Sequence, residues 1–321
     1  MSASAPDQLH VIFGTGPLGL ATMRRLRGLG YRVRLVNRSG RVTFDKDLDT
    51  QVGGADAADP VRAREACEGA SAVYHCVGLP YPRWGEFPAI MRGIVEGAAS
   101  AAAPLVYGDN VYAYGHVRGP MREGLPESAT TVKGRIRAEA AAMLMDAHRA
   151  GKVRAAIARA SDFFGPGVTD ASMLGTRVFQ RLLDGKPAQV VGDPDRLHSY
   201  TYIEDFAAAL AALADRPDAA GGIWHVPNAP ALSTRTVVSR IASLAGARNR
   251  LSAAPGWLVG MLGLFDANLR ELKEMLYEFD DDFVVDGSKA ETALGLTATP
   301  WETSLTETLD WWRGRPPLRV P

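Results

Sequence analysis

The sequence predicts an α/β chain built on a doubly wound parallel sheet, with a smaller lobe towards its C-terminal end. Three observations carry this expectation. A strand, a tight glycine turn and a helix follow one another over residues 9–29. Short apolar runs then alternate with helical stretches to about residue 160, the rhythm of repeated βαβ units. Beyond that point the rhythm loosens, and Gly165-Pro-Gly167 and Gly192-Asp-Pro194 mark loops.

The elements follow in order. Leu9-His-Val-Ile-Phe13 reads as the first strand. It leads into Gly14-Thr15-Gly16-Pro17-Leu18-Gly19 and a helix over 17–29. The spacing Gly14-x-Gly16-x-x-Gly19 is the dinucleotide-binding fingerprint. Gly14 permits the turn, Gly16 lets a pyrophosphate approach the backbone, and Gly19 lets the helix lie close to the strand. The helix start offers free N–H groups to phosphate. A second strand, 31–36, ends in Asn37-Arg38, about 20 residues on, where a ribose-reading residue belongs. An Asp or Glu there would favour the 2′-hydroxyl of NAD. Asn37 and the Arg38 fork favour a 2′-phosphate instead. NADP(H) is therefore the expected cofactor, with NAD(H) as the alternative. The fold class is a Rossmann-type doubly wound parallel sheet.

Further strands are expected near 50–53, 72–77, 104–108 and 153–159, with helices at 60–69, 86–101 and 131–150 between them. The strands are apolar throughout, as covered parallel strands are. A strand at 199–203 leads into a helix at 204–214, and a strand at 222–226 follows. Helices are expected over 233–246, 256–279 and 301–313. The 256–279 stretch carries apolar residues at Leu258, Met261, Leu262, Phe265, Leu269, Leu272, Met275, Leu276 and Phe279 and reads as a packing helix. Pro316-Pro317 reads as a stop. The dinucleotide domain is placed at 8–164, with a strand and helix returning over about 198–227. A mostly helical substrate-covering lobe takes 165–197 and 228–321.

Composition narrows the function. The 321 residues are 46% hydrophobic and 22% charged, with 36 basic and 36 acidic residues. That is enough chain for a sizeable core. No basic stripe points to nucleic acid, so a small-molecule ligand is expected. The start of the chain lacks the apolar run of a signal peptide. Trp257–Phe265 is short for a membrane span. A cytoplasmic protein without membrane contact is expected. Cys67 and Cys76 have no metal or disulfide spacing and read as buried thiols. His75 reads as a core histidine and Asp280-Asp281-Asp282 as a solvated turn. Ser161 and Ser199 have no nucleophile-elbow setting, which disfavours a hydrolase.

An ordered set of segments carries a resemblance. These are the glycine turn, Gly54-Ala-Asp56-Ala-Ala-Asp59, Val73-Tyr-His-Cys-Val-Gly78, and Leu105-Val-Tyr-Gly-Asp-Asn-Val-Tyr-Ala-Tyr-Gly115. Ala158-Arg-Ala-Ser-Asp-Phe-Phe-Gly-Pro-Gly167, Ser199-Tyr-Thr-Tyr-Ile-Glu-Asp-Phe206 and Gly222-Ile-Trp-His-Val-Pro-Asn228 follow. Over nearly its whole length the chain resembles the short-chain dehydrogenase/reductase superfamily in its extended, epimerase/dehydratase-like form. The resemblance implies that Asp56 and Ala57 meet the adenine. It places Val77-Gly78 at the adenosine ribose and Ala160-Ser161 beside the nicotinamide. It also allows a homodimer. Extended members usually have a glycine where this chain has Phe13, so the turn resembles that of atypical members.

The family's chemistry uses a Ser or Thr, a Tyr and a Lys, and here the chain departs. Asn110 stands at the Ser position, Lys133 at the Tyr position and Arg137 at the Lys position. The i, i+4 spacing keeps Lys133 and Arg137 on one helix face. Three readings remain. Lys133 or Arg137 binds the nicotinamide ribose, Asn110 donates to the substrate oxygen, and Lys133 supplies the proton. Or the acid comes from Tyr112, Tyr114, His116, Tyr200 or Tyr202. Or the chain binds nucleotide without redox chemistry, as a regulator. The Asp109-Asn110 pair reads as substrate-orienting or as an Asx turn. Tyr81 and Trp84 lie in a loop at a strand's C-terminal end, where α/β sheets bind ligands. With Tyr112 they are the expected substrate contacts. The expected activity is hydride transfer on a small carbonyl or hydroxyl substrate, with a sugar-nucleotide epimerase or dehydratase as the alternative.

Overall fold

The structure is a computed structural model that describes residues 7–42, 50–256 and 273–314. Seven parallel strands form its sheet: β1 Leu9–Phe13, β2 Arg32–Asn37, β3 Thr50–Gly54, β4 Ala70–His75, β5 Leu105–Asn110, β6 Ala155–Ala160 and β7 Ile223–His225. Their order is β7-β6-β5-β4-β1-β2-β3. The order reverses between β1 and β4, which opens a crevice at the C-terminal ends of those strands.

Helices cover both faces. On one side α1 (Pro17–Gly28) packs with α5 (Ile203–Ala214), where Met23, Leu26, Phe206 and Leu210 meet Ile12, Leu35 and Val106. On the other lie α2 (Pro60–Ala66), α3 (Phe87–Ser100) and α4 (Val132–Arg149). There Met91, Ile94, Ala140 and Leu144 close on Val11, Val73, Leu105 and Ile157. This double cover explains the apolar strands. A separate core gathers Phe164, Phe179, Val190, Tyr200, Val237, Ile241, Trp301, Leu305 and Trp312.

The main sheet strands and long helices lie where the sequence places them, within a few residues. The later region carries more β structure than expected. Its short ladders pair 162–164 with 200–202, 188–191 with 251–254, and 197–198 with 232–233. The expected strand at 199–203 is the three-residue strand 200–202, preceded by a separate short strand at 197–198, and α5 begins at Ile203. Of the expected 256–279 helix, Tyr277–Asp280 is helical. Leu258, Met261, Leu262, Phe265, Leu269 and Leu272, like Pro316-Pro317, lie outside the described residues. Among the described residues no helix is long and apolar enough to cross a membrane. Cys67 and Cys76 are buried and unbridged, and burial pushes both thiols up to about 12.

A charged network crosses the core beneath the strand ends. Asp109 accepts from Arg159 Nε at 3.0 Å and lies 3.5 Å from Arg137 Nη1. Arg159 also pairs with Glu127 and sits 4.8 Å from the Tyr114 ring. Such pairs cost much to desolvate, and removing one partner is worse than never having buried either. Arg159→Met is expected to lower stability by about 3–5 kcal/mol, read as a fall in urea midpoint; a loss below about 1 kcal/mol would contradict this account.

Candidate active site

The first cavity, of about 220 Å³, opens at the C-terminal ends of β1 to β4. It is lined by Gly14, Thr15, Gly16, Asn37, Arg38, Asp56, Ala57, Val77, Gly78 and Arg83. Gly14 has φ +105°, and a Cβ there would lie 2.4 Å from the Cys76 carbonyl oxygen. A Cβ on Gly19 would lie 2.0 Å from the Gly14 oxygen. These two positions therefore demand glycine. A Cβ on Gly16 would meet nothing within 4 Å. Gly16 also caps α1 with no side-chain acceptor, and Pro17 takes the first helical position. Open space above Gly16 and uncapped helix amides suit the pyrophosphate of a dinucleotide. Pro17, Leu18 and Gly19 shape the turn from behind without lining the cavity.

Asn37 has a role the sequence did not disclose. Its Nδ2 donates to Thr15 Oγ1 at 2.9 Å and to the Arg41 carbonyl at 2.8 Å. Its Oδ1 accepts from Gly40 N at 2.8 Å and Ser39 Oγ at 3.2 Å. Asn37 thus builds the 37–41 turn and anchors it to the glycine turn. Arg38 is exposed at the rim, where its Nη2 donates to Glu86 Oε2 at 2.6 Å. Asp56 Oδ1 accepts from Ala58 N at 3.0 Å and stands 3.8 Å from Arg38 Nε.

A second cavity, of about 270 Å³, lies beyond β4, β5 and β6 and is lined by Tyr81, Tyr112, Asp162, Ser172, Arg177 and Glu278, among others. Trp84 supports it from below. Its indole donates to the Leu79 carbonyl at 2.8 Å, and its ring stacks on Tyr112 at 6.0 Å and meets Tyr81 edge-on at 5.3 Å. Asp162 is held by Nε2 of buried His198 at 3.2 Å. Tyr81 and Tyr112 thus line this cavity, as the expected substrate contacts would, while Trp84 packs behind them.

Asn110, Lys133 and Arg137 lie next to these cavities and line neither. Asn110 Oδ1 accepts from Tyr112 N at 3.2 Å, so the Asx-turn reading holds for this side-chain oxygen. Its partner Asp109 is committed to the arginine network. Arg137 is caged: its guanidinium lies 4.1 Å from the Phe87 ring and 4.5 Å from the Trp84 ring, and Nη1 donates to Tyr107 at 2.6 Å. Lys133 is 1% exposed, its Nζ 4.7 Å from the Tyr81 ring centre. It donates to Glu274 Oε1 at 2.6 Å. Glu274 also accepts from Val132 N at 3.0 Å and Lys133 N at 3.3 Å, so it crowns the start of α4. Burial pushes the Glu274 carboxyl up, but these donors outweigh it and hold it below its ordinary value.

Ser161 Oγ donates to the Ser199 carbonyl at 2.6 Å, and Ser161 N to Thr201 Oγ1 at 3.1 Å, so Ser161 is tied into the fold and Ala160 is buried. Tyr114 bonds His225 at 2.8 Å within the core, and His116 pairs with Asp281 at the surface. His75 is fully buried, and desolvation first, then Arg137, lowers it to about 3.

Sequence reading missed Glu278. Its carboxyl is 1% exposed, and neither oxygen has a hydrogen-bond partner among the described residues. Burial first, and the Asp162 carboxylate second, raise it well above its ordinary value. The available signal was an acid lying three residues after Met275 in an apolar helical pattern, hence on its buried face.

A sequence model of the NAD dependent epimerase/dehydratase family matches residues 11–226. The fold is close to that of a dTDP-glucose 4,6-dehydratase from Bacillus anthracis in complex with NAD (TM-score 0.79, 13% identity, 95% of this chain and 96% of that one). It is also close to a UDP-glucose 4-epimerase from Thermotoga maritima with UDP-glucose (0.79, 14%, 95% and 99%). MoeE5 in complex with UDP-glucose and NAD aligns with TM-score 0.76 at 21% identity, over 95% of this chain and 98% of that one. Comparison with curated proteins returns no significant match. The fold and its glycine turn define a dinucleotide-binding protein of the Rossmann type. The chain belongs to the NAD dependent epimerase/dehydratase family.

A pH dependence follows from Glu278. The folded carboxyl keeps its proton to higher pH than the unfolded one, so the native state binds more protons between those two values and stability falls as pH rises. Glu278→Gln is expected to remove that slope, of at most about 1.4 kcal/mol per pH unit. Its stability gain over the parent should grow from pH 5 to pH 8 in urea unfolding; parallel curves would exclude a protonated Glu278.

Proposed function

We propose that the chain is an NADP(H)-dependent oxidoreductase that acts on a small carbonyl or hydroxyl substrate by hydride transfer. The observation that carries the cofactor choice is the first cavity's rim, where the Arg38 guanidinium stands half-exposed, paired with Glu86, while Asn37 is consumed by its own turn. The 14–19 turn holds the pyrophosphate, Asp56 and Ala57 meet the adenine, and Val77-Gly78 line the adenosine ribose. Arg38 takes the 2′-phosphate. When bound, the dinucleotide supplies or accepts the hydride.

The second cavity takes the substrate against Tyr81 and Tyr112, with Trp84 fixing both rings. Asn110 Nδ2, which has no partner among the described residues, donates to the substrate oxygen. Lys133, paired with Glu274 and aligned in sequence with the family's Tyr, binds the nicotinamide ribose or protonates the substrate oxygen. Arg137 positions rather than reacts: its cage fixes Trp84 and the face of α4 that carries Lys133. Ala160-Ser161 form a fixed wall beside the nicotinamide. Glu278 is a second proton holder, favoured because it lines the cavity and Lys133 does not. The sugar-nucleotide epimerase or dehydratase reading is favoured by the substrates named for the solved relatives.

Arg38→Ala is expected to remove an NADPH preference of roughly tenfold to a hundredfold, the worth of about 1.5–3 kcal/mol for charge-assisted bonds. Equal affinity of the parent for NADPH and NADH would refute the NADP(H) choice. Lys133→Met, which also leaves Glu274 without its cation, is expected to abolish NADPH oxidation across a carbonyl panel when assayed below its own lowered melting midpoint; unimpaired turnover removes Lys133 from the chemistry. Turnover without net NADPH loss would instead support the epimerase reading. Tight NADPH binding with no turnover would support a regulator.

A further inference from the structure

The adenosine cavity carries two guanidiniums on its rim, Arg38 from the end of β2 and Arg83 from the short 3-10 helix Tyr81–Glu86. One carboxylate holds both. Glu86 Oε2 accepts from Arg38 Nη2 at 2.6 Å. Arg83 grips it in bidentate fashion, Nε to Oε1 at 2.6 Å and Nη2 to Oε2 at 2.7 Å. Asp56 adds a second carboxylate 3.8 Å from Arg38 Nε. Two cations and two anions therefore meet at the rim, and their formal charges cancel.

All four side chains are partly exposed, so these pairs contribute little to stability. Their charge matters more to an arriving ligand. We propose that Glu86 sets how strongly this site prefers a 2′-phosphorylated dinucleotide over an unphosphorylated one, by competing with the 2′-phosphate for Arg38 and Arg83. The proposal rests on the reading above for the position of the 2′-phosphate. A phosphate monoester carries a charge of about −1.5 to −2 at neutral pH. To reach the guanidiniums it must share them with Glu86 or displace it, against like-charge repulsion. A ribose 2′-hydroxyl is neutral and meets no such repulsion. Glu86 thus stands in for the phosphate, holds the arginines ready and weakens the dianion's advantage.

The test is to measure dissociation constants of NADPH and NADH, by cofactor fluorescence, for the parent protein and for Glu86→Gln, Glu86→Ala and Glu86→Asp. Removing one negative charge a few ångströms from the phosphate is expected to tighten NADPH about tenfold at low salt. NADH should stay unchanged, and the gain should shrink as salt rises. Glu86→Asp keeps the charge and should stay near the parent ratio. An unchanged NADPH-to-NADH ratio in Glu86→Gln and Glu86→Ala overturns the proposal. So does equal tightening of both cofactors, or weaker NADPH binding, which would make Glu86 an organiser of the arginines. If the parent prefers NADH yet Glu86→Gln shifts the ratio towards NADPH, the cofactor reading falls and Glu86 stands. Binding of neither dinucleotide overturns both.

Discussion

The buried carboxylate of Asp109 is the constraint on which both cavities depend. It lies near the end of β5, receives Arg159 from β6 and lies within reach of Arg137 from α4. One anion between two guanidiniums leaves positive charge in the core, and Glu127 and the tyrosine rings around it offset that charge. Burying such a group is a poor way to gain stability. What it does is fix three elements relative to one another at the end of the sheet where the two cavities open. Arg137 then extends the lock sideways: pressed between Phe87 and Trp84, it determines where Trp84 lies and so where Tyr81 and Tyr112 face the second cavity.

The sheet was legible in the sequence because covered parallel strands must be apolar, and the glycine turn because steric demands there exclude other residues. Gly14 and Gly19 each face backbone atoms that leave no room for a Cβ. The short ladders at 188–191 and 251–254 were not legible. They are brief, contain Ala, Gln and Ser, and pair across about sixty residues, so no local period marks them. The roles of individual side chains were not legible. For Asn37 and Arg137, hydrogen bonds to Thr15, Arg41 and Tyr107 decide what each side chain is free to do.

Glu274 shows why local reading stops there. It lies 141 residues from Lys133, and nothing nearby in sequence announces the pair. A buried ammonium needs a counter-charge, because an unpaired charge in this setting is far more costly than a neutral group. Glu274 supplies it and, with the same two oxygens, satisfies the Val132 and Lys133 amides at the start of α4. A helix N-terminus favours negative charge on its own account. One carboxylate therefore answers a side-chain cation and a helix end together, which helps explain how Lys133 can be 1% exposed and remain paired.

That arrangement couples two parts of the chain that the residue pattern treats separately. Glu274 docks on α4, Met275 packs with Trp84, Phe87 and Tyr112, and Glu278 faces the second cavity. These contacts at 274, 275 and 278 come from a turn and the short helix Tyr277–Asp280 that follows it. A shift of this segment would alter the counter-charge of Lys133, the packing of Trp84 and the wall of the cavity at once. The pair of Lys133 and Glu274 is thus more than a local contact. It makes the electrostatics of the site depend on a segment far away in sequence, and that dependence separates what the glycine turn holds from what is done with it.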